Sequence, residues 1–371
     1  MASITSWMDH WRRLDPYILL LTLLLVLFGL AAIYSVTINV ADPDYSKVVR
    51  QLTFTGLGFI LFFLVALIDY RFYKAIAWLA YILGFVLLLA VLFFGTEIRG
   101  ATGWFEVSGL TFQPAELAKL LLVIFLSRFF ADFSSTNKQI RTILITAAAV
   151  VIYVGLIILQ PDLGTAVLLL ATWTGFLLFT KIKTKHLIWL LIGVVLVSLI
   201  SWQFILYDYQ RDRVLTFFNP SRDPLGQGYN VTQSIVAIGS GQLFGRGLGL
   251  GTQSQLNFLP EAEEDFIFAV IAEELGLVGV TLLLGIYALL FWRILIAIRR
   301  SYDNFSFYLV LGIGLMIFVQ MFVNIGTNLG LLPVAGIPLP LISSGGSSLL
   351  VNLVALGIVE SVIIHRRSSY F

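Results

Sequence analysis

The chain has 371 residues, 59% of them hydrophobic and 12% charged, with a formal net charge of +2. A soluble domain carries about twice that share of charge, so this composition cannot cover a water-facing surface and lipid must face much of the chain. The absence of cysteine excludes disulfides, thiolate metal sites and cysteine nucleophiles, and no long basic run points to nucleic acid.

A membrane-spanning helix needs about 20 mostly apolar residues. The first such stretch, 16–38, is longer than the core of a cleavable signal peptide and reads as a span. Others follow at 51–69, 73–94, 113–131, 142–159, 163–180, 186–207, 265–295, 305–330 and 346–364. The expectation is an all-α polytopic membrane protein with ten spans and one membrane domain over 1–371. The span 113–131 contains charge, and a tight turn at Gln160, Pro161 and Asp162 separates the fifth and sixth. Loops are short except 208–264.

Basic residues in short loops mark the cytoplasmic side. With the N-terminus inside, the inner set is Arg12, Arg13, Arg71, Lys74, Arg128, Lys138, Arg141, Lys181, Lys183, Lys185, Arg293, Arg299, Arg300, Arg366 and Arg367. Every predicted inner loop and both tails carry basic residues, and an even number of spans puts both termini inside. Eight remain for the outer half: Lys47, Arg50, Arg99, Lys119, Arg211, Arg213, Arg222 and Arg246. The orientation rule does not explain these, so they require another reason.

Asp265 follows an acidic run, Glu261, Glu263 and Glu264, and opens a helix of about 28 residues, or about 42 Å. It reads equally as an N-cap and as a surface carboxylate able to take a proton from a substrate hydroxyl. Glu116 and Lys119 share a helix face inside an apolar stretch that starts after Gln113 and Pro114. Lys119 lies about 9 Å below the helix start, a depth at which ionisable groups are costly and face a polar cavity or a partner. Glu273 lies about 80° around the helix from Asp265 and Glu274 opposite, so only one shares its face; helix packing is the plain alternative for both. Arg50 and Arg99 suit phosphate oxygens through paired hydrogen bonds, against a background reading of snorkelling. The run Gly336 to Ser348, containing Ser343, Ser344, Gly345 and Gly346, has two prolines and two glycines and cannot be a regular helix. At membrane depth such backbone is tolerated only beside protein or a polar cavity.

Taken together these blocks resemble the SEDS family of bacterial cell-wall proteins over nearly the whole chain. The matching blocks are Thr111 to Lys119, Gln160 to Thr165, Asp223 to Tyr229, Ala237 to Gly241, Asp265 to Ala269 with Glu273 to Gly276, and Gly336 to Ser348, in the family's order. Thr252 to Pro260 favours the elongation branch, concerned with rod shape, over the division branch. The resemblance implies a peptidoglycan glycosyltransferase that polymerises lipid II, a disaccharide-pentapeptide on undecaprenyl pyrophosphate. It implies a bacterial cytoplasmic membrane location, an active site at the outer face, and a class B penicillin-binding protein as partner, with MreC and MreD among further elongation proteins. The family's essential aspartate matches Asp265, and its buried Glu and Lys match Glu116 and Lys119. Asp162 falls in the Gln160 block and is expected, like Gln113, to line the cavity.

The chain departs from the family at Ala115, usually Ser; at Glu263-Glu264, often His-Thr; and at Ser344, usually Tyr. The two glutamates are expected to raise the proton affinity of Asp265 or to help hold a divalent cation. On this reading Asp265 is the general base on a sugar 4-hydroxyl. Arg50, Arg99 and Lys119, with Arg211, Arg213 and Arg246 behind them, stabilise the departing pyrophosphate. A divalent cation, Mg2+ or Mn2+, would suit the same charge, and no organic cofactor is implied. The rival readings are a lipid II flippase and a scaffold that only recruits the crosslinking enzyme. A flippase would need polar groups along the whole crossing, and a scaffold leaves the outer arginines and the buried pair unexplained.

Overall fold

In hydrocarbon every backbone N–H and C=O needs an internal partner, and long apolar stretches meet that demand as helices. In the computed structural model, residues 13–38, 45–98, 101–107, 110–133, 139–180, 193, 203, 208–219, 222–223, 226–256 and 258–366 are described. Their elements run α1 (Pro16–Ile38), α2 (Ser46–Leu67), α3 (Tyr70–Ala75), α4 (Ala77–Phe94), β1 (Thr96–Ile98), β2 (Ala101–Val107), β3 (Leu110–Phe112), α5 (Pro114–Phe133), α6 (Gln139–Leu159), α7 (Leu163–Phe179), α8 (Asp208–Phe218), α9 (Gln227–Ser240), α10 (Thr252–Gln255), α11 (Ile267–Arg299), α12 (Asn304–Asn328) and α13 (Gly346–Ile364). The chain is an all-α polytopic membrane protein carrying one small sheet.

Seven of these helices are long and apolar enough to cross a membrane: α1, α2, α4, α6, α11, α12 and α13. Two more predicted spans are helices of a different character. α5 carries Glu116, Lys119 and Arg128, and α7 has only 17 residues. Of the predicted span 186–207 only residues 193 and 203 are described, so the rest of that expectation lies outside the described residues. The stretch 73–94 is not one helix: Asp69 caps α3 by accepting from the Arg71 N–H, and the chain breaks at Ile76 before α4. The polar loop after α4, expected on the outer side, is in fact an antiparallel sheet of order β1-β2-β3, with Thr96 opposite Trp104 and Phe105 opposite Phe112.

Parallel and antiparallel neighbours follow from which ends touch. Gln51 at the start of α2 bonds the Ser343 carbonyl just before α13, and Ser361 near the end of α13 bonds the Ile68 carbonyl after α2. These two helices run parallel. The Asp15 N–H donates to Glu360 at 3.0 Å, and Arg293 pairs with Asp15, so the start of α1 and the end of α13 share one end of the bundle. Arg71, Lys74, Arg128 and Asp303 gather at that same end through Tyr70–Asp303 and Arg128–Lys74 contacts. The residues of the candidate site gather at the other. α13 is the central helix, with 83% of its span buried. Large apolar side chains on the outer helices, among them Leu57, Ile60, Leu79 and Val151, point outward as lipid-facing residues do.

The long loop 208–264 is not a simple connection. It contains α8, α9 and α10, and part of it enters the bundle beside α11. That helix is broken at Gly276, whose φ of 64° and ψ of −163° suit glycine alone. The break lies about 14 Å along the helix from Ile267. Its freed backbone groups are taken up by the loop. Arg246 and Gly247 N–H groups donate to the Glu273 and Glu274 carbonyls, and the Leu277 and Val278 N–H groups donate to Gln242 and Leu243. A side chain at Gly276 would meet the Gly245 nitrogen at 2.3 Å. This is irregular backbone at depth satisfied by protein, as a membrane requires.

Candidate active site

Asp265 does not open its helix. It sits in the turn Glu261–Phe266, its N–H bonded to the Glu261 carbonyl at 3.2 Å, and Phe266 takes the N-cap position without a side-chain cap. The Asp265 carbonyl accepts from two side-chain amides of α12, Asn324 and Asn328, each at 2.9 Å. Asn328 also accepts from the Ala269 N–H at 3.1 Å, capping the first turn of α11 from outside. The carboxylate faces Gly336, where a Cβ would come within 3.8 Å of it.

The irregular run 336–348 is the common wall of the site. It is buried, with Leu339, Leu341, Ile342 and Ser343 all under 5% exposed, so it is no ordinary surface loop. Ser343 donates to the Glu264 carbonyl, and the Ser344 N–H donates to the Glu263 carbonyl at 2.8 Å. These bonds tie the run to the turn that carries Asp265. Gln51 of α2 reaches the Ser343 carbonyl at 3.2 Å and accepts from the Gly345 N–H at 3.5 Å. Ser347 accepts from the Gln113 N–H at 3.0 Å, which brings in the start of α5. Gly346 is required for close approach, since a Cβ there would lie 2.3 Å from the Phe54 ring.

The second half of the site hangs from Gln113. Its amide donates to Asp162 at 3.2 Å. Asp162 also caps α7, accepting from the Thr165 N–H at 3.0 Å and hydroxyl at 2.7 Å. Burial pushes the Asp162 carboxyl above its ordinary range, against those Thr165 bonds and the charge of Lys119. Glu116 and Lys119, which share a helix face, form an ion pair at 2.7 Å and are 3% and 1% exposed. Glu116 Oε2 is buried with no hydrogen-bond partner among the described residues. An ammonium has three N–H donors, and Glu116 accepts one of them.

The remaining candidates scatter. Arg50 is half-buried and precedes Gln51 in α2. Arg99 lies outside the described residues. Arg211 bonds the Gln203 carbonyl at 3.2 Å. Arg213 lines an apolar cleft with Phe217, Val231, Ile235, Pro333 and Val334, two residues from Gly336. Arg246 is exposed on the entering loop beside Glu273, not at the Asp265 turn. Glu273 and Glu274 are both fully buried. Glu273 accepts from the Gln253 and Ser254 N–H groups at 2.9 and 3.2 Å, fastening α10 to α11. Glu263, expected to repel the Asp265 charge, is paired with Lys47. Among the described residues no three His, Cys, Asp or Glu side chains gather as metal ligands.

The polar residues missed from the sequence are Gln51, Ser347, Gln320, Asn324 and Asn328. Three of them left a signal: amides four apart in an apolar helix, hence on one face.

The family model for cell cycle proteins of the FtsW, RodA and SpoVE type matches residues 15–368. The chain belongs to this family. It is the SEDS family to which the sequence motifs pointed. Among its relatives, the peptidoglycan glycosyltransferase MrdB of Escherichia coli is 41% identical over 364 residues, covering 96% of this chain and 95% of that one. Stage V sporulation protein E of Bacillus subtilis is 35% identical, covering 94% and 96%. Of solved structures, a chain described under structural coordination of polymerization and crosslinking by a peptidoglycan synthase complex superposes with a TM-score of 0.81. It is 34% identical, with 96% of this chain and 99% of that one covered. The Thermus thermophilus rod-shape-determining protein RodA gives 0.72 at 30% identity, covering 96% and 98%.

Proposed function

We infer that this chain is a peptidoglycan glycosyltransferase of cell elongation that polymerises lipid II, with Asp265 as general base. The observation that carries the assignment of the base is the setting of Asp265. Its main chain is fixed by two amides, its carboxylate faces the unencumbered Gly336, and it shares a wall with a buried lysine. A carboxylate held this way can accept the proton of a sugar hydroxyl as that oxygen attacks the anomeric carbon of the growing strand. Undecaprenyl pyrophosphate leaves and the anomeric configuration inverts. Lys119 and Arg50 supply positive charge where the leaving group gains negative charge. Arg213, at the edge of an apolar cleft, suits the junction of pyrophosphate and polyprenyl chain. Arg99 remains a candidate from sequence. The Glu116 oxygen left open is an acceptor for a substrate N–H or hydroxyl.

The described side chains do not form a protein cage for a divalent cation. The site is proposed to face the outside of the cytoplasmic membrane, because the basic residues of the other bundle end match the cytoplasmic pattern. A class B penicillin-binding protein is the proposed partner, in keeping with the synthase complex that this chain resembles, and MreC and MreD are proposed as further companions. The flippase reading is disfavoured by the residues of the candidate site, which gather at one end of the bundle instead of lining a crossing.

The test is polymerisation of purified lipid II by Asp265→Ala protein with the penicillin-binding protein present. The expected outcome is a rate at least about a hundredfold lower with lipid II binding retained. Wild-type polymer length and rate would refute the base assignment, and lipid II crossing the bilayer without polymer would favour the flippase.

A further inference from the structure

α12 carries Gln320, Asn324 and Asn328 at four-residue intervals, all buried on one face of an otherwise apolar helix. A buried amide in a membrane span is costly unless its donors are used, and here they are. Gln320 donates to the Pro338 carbonyl and the Ser348 hydroxyl, both at 3.1 Å. Asn324 donates to the Ile337 carbonyl at 2.8 Å and to the Asp265 carbonyl at 2.9 Å. Asn328 donates to the same Asp265 carbonyl and accepts from Ala269. One rigid helix thus grips both walls of the site: the Asp265 turn on one side and the irregular run at 337–338 on the other.

We propose that Asn324 and Asn328 are positioning residues for Asp265, fixing its peptide so that the carboxylate stays aimed across Gly336. This rests on the reading of Asp265 as general base. The geometry is specific to that residue. A carbonyl oxygen has two lone pairs, and the two amides fill both. The Asp265 peptide cannot then rotate without losing two buried hydrogen bonds. Asn324 adds register, because its Nδ2 bridges the Asp265 carbonyl to the neighbour of Gly336. Asn324 thus joins base and facing glycine directly, next to the Ser343 and Ser344 bonds to the Glu264 and Glu263 carbonyls that tie the same two walls.

The test uses full-length Asn324→Leu and Asn328→Leu, each of which leaves one donor on the Asp265 carbonyl, assayed for lipid II polymerisation with the partner present. A misplacement of about 1 Å costs about a hundredfold. Each variant is expected to lose about tenfold to a hundredfold in kcat, with KM for lipid II within about twofold, and to shift the acid limb of the rate-pH profile. Asn324→Ser, which restores a donor of shorter reach, is expected to recover part of the rate if Asn324→Leu folds poorly. Unchanged kcat and an unmoved acid limb in both Leu variants would overturn the proposal. So would losses that only track the folded fraction measured by thermal unfolding. Failure of the underlying reading looks different: Asp265→Ala would then polymerise at the wild-type rate whatever the amide variants do.

Discussion

Charge burial decides what single residues do in this site. The Glu116–Lys119 pair is almost fully removed from solvent. Breaking one half of such a pair leaves an uncompensated charge, at about 3–5 kcal/mol, whereas removing both is far milder. Lys119→Met is therefore expected to lower thermal stability in detergent strongly, and the double change with Glu116→Gln to recover most of it, with polymerisation lost in both. Equal unfolding temperatures for the single and double variants would contradict the pairing. Asp162 makes a pH prediction. Its folded-state pKa is raised by burial above the ordinary value of 3.8. The folded protein therefore holds that proton longer than the unfolded chain. The contribution to stability is complete below the unfolded value and is lost as pH rises through the folded one. Asp162→Asn keeps a capping oxygen and removes the titration. Its unfolding temperature is expected to stay flat from about pH 4 upward where the parent's declines. A parallel decline in both would show that other groups set the slope.

At the scale of elements, two irregular stretches carry the design. The run 336–348 replaces helix with buried turns, including Leu341 at a φ of 65°, a region bulky residues rarely occupy. Tyr287 holds this bend through the Pro340 carbonyl, and Gly29 of α1 lies so close to Ile342 that a Cβ would meet its carbonyl oxygen at 2.4 Å. The break of α11 at Gly276 is the other. A methyl there fits neither the backbone conformation nor the space taken by Leu243 and Gly245. Gly276→Ala is expected to destabilise by at least about 1–3 kcal/mol, by strain alone, and to expose residues 241–250. Limited proteolysis of that loop, compared with wild type, measures it; an unchanged cleavage rate would mean that the break tolerates a side chain.

For the whole molecule, the two ends of the bundle differ in chemistry. One carries Asp15, Arg293, Glu360, Asp303 and Arg128 around the start of α1 and the end of α13, and the other carries the candidate site. Because the chain has no cysteine, single cysteines report sidedness directly. Arg222→Cys is expected to react with a membrane-impermeant thiol reagent in intact spheroplasts and Arg300→Cys only after lysis. Both positions are exposed. The reverse pattern would invert the proposed orientation and place the site inside.

Hydropathy is a local property, so the sequence by itself determined the membrane class and the position of nearly every described span. The ordered motifs likewise determined the family, and the three-residue spacing of Glu116 and Lys119 determined their pairing, because one helix holds both. Contacts between segments far apart in sequence have no such local signature. Only the tertiary structure decided that Glu263 pairs with Lys47, that the 241–247 loop fills the break in α11, and that Glu273 fastens α10. It also turned the polar loop after α4 into a sheet, because backbone pairing there depends on partners and not on hydropathy. It moved Asp265 off the helix start into a turn held by Asn324 and Asn328. Those amides were visible as residues, but their target lies about sixty positions away, and only folding in a medium that penalises unpaired polar groups brings donor and acceptor together.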